Sequence, residues 1–484
     1  MKIPVYDVAI IGAGCVGASI ARRLSAYQVD VALLEKCVDV GFGVSKANSG
    51  IIHAGFHHPV TSLKARLEIR GNLMFDQLHH ELNFPFKRVG ILVVAFSYEQ
   101  MKAVEQLYEQ GVRNGVPLIE VCGRDRLLLL EPKLNPDVVG GLYAPTGGII
   151  EPYRYVFALV ESAMRNGVAL HTDFQVAKAD CKRGMYTLRS TQGDAVRARY
   201  IVNAAGLYAD EVSRLLGAES FTITPRKGEE FLLERSAAGF PNHVIFPAPG
   251  RHTKGMLVIP TVEGTMMIGP TAEEIEDKED RETTADNLDK VFASAMHMVP
   301  VISRREIITS FAGLRPVMEG NDFFIDVSAE APHVIQAAGI QSPGLTASPA
   351  IGEYVKDLLK RNGLTLTEKT HFDPSIPATP KVRELTPEAL AGLVREDPRY
   401  GHIVCRCEAV SEAEVVEAIR KGHATLDGIK FYTRAGMGRC QGGFCSYRVL
   451  KILARETGLP IEAITKRGDG SRIVIGRIGA RTQE

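Results

Sequence analysis

The chain is 484 residues long, 45% hydrophobic, and carries 57 lysines and arginines against 57 aspartates and glutamates. That length predicts two to four domains with ordinary globular cores. The balanced charge excludes a basic nucleic-acid surface, no run approaches the ~18 apolar residues of a membrane span, and the first strand begins too near Met1 for a secretory leader to precede it. Outside one C-terminal group the chain is poor in cysteine, which predicts a reducing, cytoplasmic compartment, with docking at the inner face of a membrane only through a partner.

Tyr6–Ile11 is an apolar run that predicts a buried parallel strand. Gly12-Ala13-Gly14-Cys15-Val16-Gly17 follows at once, then a helical stretch over Ala18–Ala26, then a second strand, Val31–Leu34, ending at Glu35 and Lys36. This is the dinucleotide fingerprint in its full context, with an acid 23 positions after the first glycine. Gly12 makes the tight turn, Gly14 admits a pyrophosphate, Gly17 lets helix pack on strand, and Glu35 would accept from ribose hydroxyls. The motif alone does not separate FAD from NAD.

Further on, the strand Tyr200–Val202 runs into Asn203-Ala204-Ala205-Gly206, where small residues at a strand end permit a cofactor to approach. The strand His333–Ala337 leads into a loop containing Gly339, Gly344, Leu345 and Thr346, then a helix over Ala350–Leu359. These two loops, with the first, fit a flavin better than a nicotinamide. Pro374, Pro377, Pro380 and Pro387 then predict an extended linker.

Past the linker, Cys405-Arg406-Cys407 and Cys440-x4-Cys445 bring two close pairs of thiols together across 32 residues. Two such pairs build a four-thiolate metal site. Gly436, Gly438, Gly442 and Gly443 crowd the second pair and would let backbone N–H groups point at sulfur, which favours a 2Fe–2S cluster; zinc and unrelated thiols are the alternatives. Helices are expected over Ser411–Lys421, with Ser411 as its cap, and over Ser446–Thr457. The basic stretch Lys466–Arg481 follows, with Ile473-Val474-Ile475 as a candidate strand. Cys15, Cys37, Cys122 and Cys181 fit no motif and are expected to be small buried hydrophobes.

The glycine fingerprint, the loop Asn48-Ser49-Gly50-Ile51-Ile52-His53-Ala54-Gly55, the Asn-Ala-Ala-Gly segment and Phe311-Ala312-Gly313-Leu314-Arg315-Pro316 together resemble the FAD-dependent amino-acid oxidase and glycerol-3-phosphate dehydrogenase superfamily over about residues 1–360. The C-terminal part resembles the bacterioferritin-associated-ferredoxin type of 2Fe–2S domain. The combination is similar to the large catalytic subunits of anaerobic glycerol-3-phosphate dehydrogenases, and the flavin part also to L-2-hydroxyglutarate dehydrogenases. The resemblance implies an α/β fold: a Rossmann-like FAD-binding domain (about 1–75, 145–215 and 330–365) with an antiparallel-sheet substrate domain inserted (about 76–144 and 216–329), a linker (about 366–400), a small, mainly helical 2Fe–2S domain (about 401–458) and a basic tail (about 459–484). It implies FAD held by Gly12, Gly14, Gly17, Glu35, Lys36, Asn48, Ser49, Ala205, Gly206, Gly339, Gly344, Leu345 and Thr346, and a cluster held by Cys405, Cys407, Cys440 and Cys445.

Oxidising a secondary alcohol means removing a hydroxyl proton while a hydride passes to flavin. The resemblance places the His53 loop beside the isoalloxazine ring and the substrate's anion at the Gly-Leu-Arg-Pro turn, which implies His53 as the candidate base and Arg315 as the candidate fork for a substrate anion; Lys227 and His57 are weaker substrate-side candidates. The glycerol-3-phosphate dehydrogenases of this resemblance that feed quinones usually carry an Arg-Tyr pair where this chain has His57-His58, and further basic residues around the stretches here reading Phe323-Phe324-Ile325 and Gly344-Leu345-Thr346. A dianionic phosphate is therefore poorly neutralised here, and a single carboxylate well matched. The expected reaction is oxidation of glycerol 3-phosphate to dihydroxyacetone phosphate, with a 2-hydroxy acid as alternative substrate. The expected acceptor of electrons from the cluster is a second flavoprotein or iron–sulfur subunit. A different class of reading is a flavin oxidase with a zinc or structural-cluster adaptor.

Overall fold

The computed structural model describes residues 3–235, 240–249 and 255–476. The chain divides into two compact units, one of residues 1–36 and 40–376, the other of 37–39 and 377–484.

In the first unit the opening apolar run forms the strand Val5–Ile11, whose last four residues are buried. It lies parallel between Val31–Leu34 and Ala195–Asn203, and Val334–Ala338 adds to the latter. The register sets Ile11 beside both Leu34 and Asn203, and Asn203 beside Gln336. Four strands thus release their following loops at one edge, where ligands of open α/β sheets bind. The hairpin Val176–Lys182 and Met185–Ser190 extends this sheet on one side and Ala169–His171 on the other. Phe324–Val327, expected in the inserted domain, instead pairs antiparallel with Val334–Ala338.

Helix Cys15–Leu24 starts directly after the glycine turn and buries one face against the helices Pro152–Arg165 and Gly344–Arg361. The latter begins six residues before the expected Ala350 because Pro343 precedes its first turn, and its internal Pro349 is accommodated there. Helix Leu63–Leu82 crosses it closely at Gly71, where a Cβ would stand 2.1 Å from the Thr346 carbonyl oxygen.

The second sheet contains the strands Ile91–Ala95, Glu120–Gly123, Gly140–Ala144, Thr224–Leu233, Val244–Pro247, Leu257–Pro260, Met266–Gly269, Glu273–Glu274 and Ile307–Val317. Its pairs are antiparallel except Ile91–Ala95 with Val244–Pro247. Apolar side chains alternate onto both faces, with Leu92, Val94 and Ile245 in one core cluster and Ile91, Val93 and Val244 in another.

In the second unit, Ser411 caps the helix Glu412–Arg420 in a reciprocal capping box with Glu414. Helix Ser446–Thr457 forms as expected. A further helix, Leu426–Thr433, was not foreseen, being short and interrupted by Gly428. The proline-scattered stretch is helical over Pro387–Glu396, not extended throughout, because Thr386 caps it and Pro387 takes the first-turn position that tolerates proline. Ile473–Ile475 forms no strand; the segment closes only an isolated bridge between Thr465 and Arg472, and the expected tail through Arg481 passes outside the described residues. Of the four motif-free cysteines only Cys122 is buried; Cys15 and Cys37 are half-buried, and Cys181, on the outer hairpin, is exposed. Among the described residues no helix is long and apolar enough to cross a membrane.

Gly71→Val should lower stability by about 3 kcal/mol, the upper end of overpacking costs, because the obstructing atom is backbone. Gly123→Ala, where nothing lies within 4 Å of the added carbon, should change it by about 0.5 kcal/mol at most. Thermal unfolding of the two variants checks the contrast.

Candidate active site

The glycine turn is shaped by what crosses it. Gly12 has φ +104°, and its Cβ would lie 2.4 Å from the Ala204 carbonyl oxygen; that of Gly17 would lie 1.9 Å from the Gly12 carbonyl. No side chain fits at either point. A Cβ on Gly14 would stand 2.9 Å from Ser45 Oγ, which accepts the Cys15 N–H at 2.9 Å. The buried Glu35 carboxylate accepts the Ala13 N–H at 2.9 Å, so the acid lies at the mouth of the turn. Beside it, Gly43 and Gly206 face open space, with no atom within 4 Å of where a Cβ would be. Glycine backbone, a helix start and a carboxylate around an open groove fit a dinucleotide pyrophosphate and ribose. Lys36 points elsewhere: its Nζ sits 3.6 Å over the Tyr208 ring and 3.7 Å from Glu279.

The 48–57 loop joins two groups of residues. Asn48 holds the loop, donating to Val44 and Ser45 carbonyls and accepting the Gly50 N–H. His53 is 9% exposed. Its N–H donates to Thr346 Oγ1 at 2.9 Å, its carbonyl accepts from Asn72 Nδ2 at 2.7 Å, and its Nε2 lies 3.3 Å from Ser342 Oγ. The His53 loop and the Gly339–Thr346 loop, which lie nearly 300 residues apart in sequence, are thus brought together. Gly339 takes φ +65°, Gly344 opens the helix, Leu345 is half-buried, and Thr346 is fully buried. The His57 ring packs 4.3 Å from Phe56 and 5.2 Å from Phe246, in aromatic surroundings.

The second group lies where the strands Thr224–Leu233 and Ile307–Val317 pair. Arg226 faces Arg315, Gly228 faces Gly313, and Glu230 faces Phe311. Paired residues share a face, so Arg315 and Glu230 stand on one side. Gly313 brings this face against the loop: its Cβ would meet the Ala47 carbonyl oxygen at 2.1 Å. Ser49 Oγ donates to Glu230 Oε1 at 2.9 Å. Both guanidinium Nη atoms of Arg315 approach the Thr271 carbonyl at 3.3 Å, and a Cβ on Gly228 would sit 2.6 Å from Nη2. Lys227 alternates to the opposite face, where it is buried and paired with Asp280 at 2.8 Å. It therefore does not join Arg315. Ser342, Asn72, Phe246 and Glu230 were not foreseen from sequence. For Glu230 a signal existed: an acidic pair, Glu229-Glu230, running directly into the apolar Phe231-Leu232-Leu233.

In the second unit Cys407 and Cys440 have their sulfurs 3.6 Å apart. Two thiolates on one tetrahedral metal at about 2.3 Å would be about 3.8 Å apart, so this pair is close to ligand spacing. Cys405 is pushed down to about 6 by a hydrogen bond from the Cys445 thiol, aided by the Gly436 and Glu408 N–H groups. The Phe444 N–H, with that of Gly442, holds Cys440 below the usual thiol range, and the Cys440 N–H reaches Cys407. Backbone donors aimed at several sulfurs fit an anionic cluster.

A strand–glycine turn–helix with its acid, roofed by a second sheet that presents a half-buried arginine, defines a flavin-dependent oxidoreductase. The chain belongs to the FAD dependent oxidoreductase (DAO) family, whose pattern matches residues 7–358, and residues 403–455 match the BFD-like [2Fe-2S] binding domain. It is 44% identical to a glycerol 3-phosphate dehydrogenase of Caloramator mitchellensis, over 99% of this chain and 100% of that one. It is 33% identical to a glycerol 3-phosphate oxidase of Mycoplasma genitalium, over 76% of this chain and 97% of the relative. The FAD-bound L-alpha-glycerophosphate oxidase of Mycoplasma pneumoniae superposes with a TM-score of 0.74 at 32% identity, over 78% of this chain and 100% of that one. The cofactors are FAD and a 2Fe–2S cluster.

Gly14→Val should yield protein without bound flavin, because the added methyls would fill the pyrophosphate's place. Absorbance of the purified variant checks this; a fully yellow protein would overturn the assignment.

Proposed function

We propose that this chain oxidises glycerol 3-phosphate to dihydroxyacetone phosphate and passes the electrons through its iron–sulfur unit to a protein acceptor. The observation that carries the substrate is the 44% identity, across essentially the whole chain, to a glycerol 3-phosphate dehydrogenase. The oxidase relative matches only 76% of this chain, whereas that dehydrogenase matches through the cysteine-bearing unit. This supports a dehydrogenase with an on-board carrier over an oxidase with an adaptor.

Bound FAD supplies the hydride acceptor, and the 2Fe–2S cluster a one-electron outlet. The chain's own residues do the rest. Arg315 binds the anionic end of the substrate with its guanidinium fork. His53 takes the hydroxyl proton, its ring oriented by Ser342 and its backbone fixed by Thr346 and Asn72. Gly12, Gly14 and Glu35 hold the adenosine side of the cofactor. Cys405, Cys407, Cys440 and Cys445 hold the cluster, with backbone N–H groups stabilising sulfur charge. The acceptor is a second flavoprotein or iron–sulfur subunit, through which the enzyme works at the cytoplasmic face of a membrane. One observation favours a second reading: the lone guanidinium of the half-buried Arg315 matches one carboxylate, as in a 2-hydroxy acid.

Anaerobic flavin bleaching with glycerol 3-phosphate against small 2-hydroxy acids decides the substrate; bleaching by the hydroxy acids alone would overturn the first reading. In stopped-flow reduction, Arg315→Ala should weaken apparent transition-state binding by about 2–5 kcal/mol. His53→Ala should slow flavin reduction by about 100-fold or more. Cys440→Ser should lose iron and sulfide while leaving flavin reduction by substrate nearly intact, which metal analysis and rapid mixing would show.

A further inference from the structure

The strand Thr224–Leu233 carries two buried acids whose situations differ. Glu229 is fully buried and well partnered: it accepts from the Thr284 N–H at 2.7 Å, the Thr284 hydroxyl at 3.2 Å and Asn287 Nδ2 at 2.9 Å. Glu230, one residue on and therefore on the other face, is 3% exposed. Its Oε1 accepts from Ser49, but its Oε2 is buried without a hydrogen-bond partner. A carboxylate oxygen left so is costly, while a carboxylic acid with its proton on that oxygen is a donor awaiting an acceptor.

We propose that Glu230 is a second anion-binding residue, a protonated carboxyl whose O–H on Oε2 donates, beside the Arg315 guanidinium, to the anionic group of the substrate. This rests on the reading of Arg315 given above. It resolves the shortage of cations noted in the sequence. A neutral acid offers a hydrogen-bond donor to phosphate without further positive charge, and leaves the charge of Arg315 available to the substrate.

The surroundings keep the proton in place. Burial pushes Glu230 up to about 7, opposed by the Ser49 hydrogen bond and the charge of Arg315. The ionisable groups on its face are Arg315 on the neighbouring strand and Arg226 on its own, the latter paired with Glu274 at 2.5 Å. Ser49 comes from the loop, and Gly269 packs on the Glu230 stem without bringing a charge. Below neutral pH the acid is protonated and donates. As pH rises through about 7 it ionises, competes for Arg315 and repels the anion, so affinity is present on the acid side and lost on the alkaline side.

The test is binding of dihydroxyacetone phosphate to the oxidised holoenzyme, followed by flavin absorbance between about pH 6 and pH 8.5. Ionisation of the ligand's own phosphate affects every variant alike. Relative to Glu230→Gln, whose amide donates at all pH values, the parent should lose about tenfold in affinity per pH unit above neutrality. Ser49→Ala removes the bond that favours the ionised form, so its midpoint should move to higher pH. Superimposable curves for parent and Glu230→Gln, or a Ser49→Ala midpoint that stays or falls, would overturn the proposal. Arg315→Ala separates the two readings. If it binds as the parent does, the anion assignment of Arg315 fails. If it binds weakly while parent and Glu230→Gln superimpose, only the role of Glu230 fails.

Discussion

Asn203 and Gln336 lie side by side in register inside the first sheet and share a hydrogen bond of 2.8 Å, with Gln336 also donating to Ser213 Oγ at 2.7 Å. Both are fully buried. A slip of one residue would leave these amides unpaired in an apolar layer and turn every neighbouring side chain to the wrong face. The contact therefore fixes the level at which the parallel strands end. Ala204 and Gly339 emerge together because of it, and the pairing of Ile11 with Asn203 and Leu34 brings Gly12 and Glu35 to the same edge.

The second sheet contributes through alternation. On the strand Thr224–Leu233, Lys227 and Glu229 turn one way and find partners in Asp280, Thr284 and Asn287. Arg226, Gly228 and Glu230 turn the other way, toward the Ala47–Ser49 loop. Glycine at both 228 and 313 leaves room for a guanidinium between strand and loop. One face of this ribbon is a settled structural network; the other combines a cation and an acid of incomplete partnership, the arrangement expected of a site that completes itself on a ligand.

Much of this was legible in the residues. The glycine fingerprint with Glu35 fixed the first strand, turn and helix, since each element is specified by local pattern. The paired cysteines and their glycines marked the iron–sulfur unit in the same way. Lys227 was misjudged because basicity is visible in sequence while the side of a strand is not, until its register is known. Glu230 was missed because its character comes from burial and from Ser49, 181 residues away in sequence. The helix Pro387–Glu396 was obscured by the prolines that precede it and by Pro387, which starts it. Phe324–Val327 was misassigned because a short apolar strand does not say which sheet it joins.

Glu408, one residue after the second cysteine of the first pair, is 4% exposed and receives two guanidinium groups, from Arg383 at 3.2 Å and Arg434 at 2.9 Å. Arg383 lies well upstream of the first cysteine, in the short turn Val382–Glu384. The heritable piece is thus longer than the stretch bearing the thiols. A gene fusion cut just ahead of Cys405 would transfer all four ligands and yet leave a buried carboxylate without the Arg383 cation. Natural shuffling of this module between enzymes should therefore keep its breakpoints upstream of residue 382, so that the connecting segment travels with the metal site it appears in sequence only to precede.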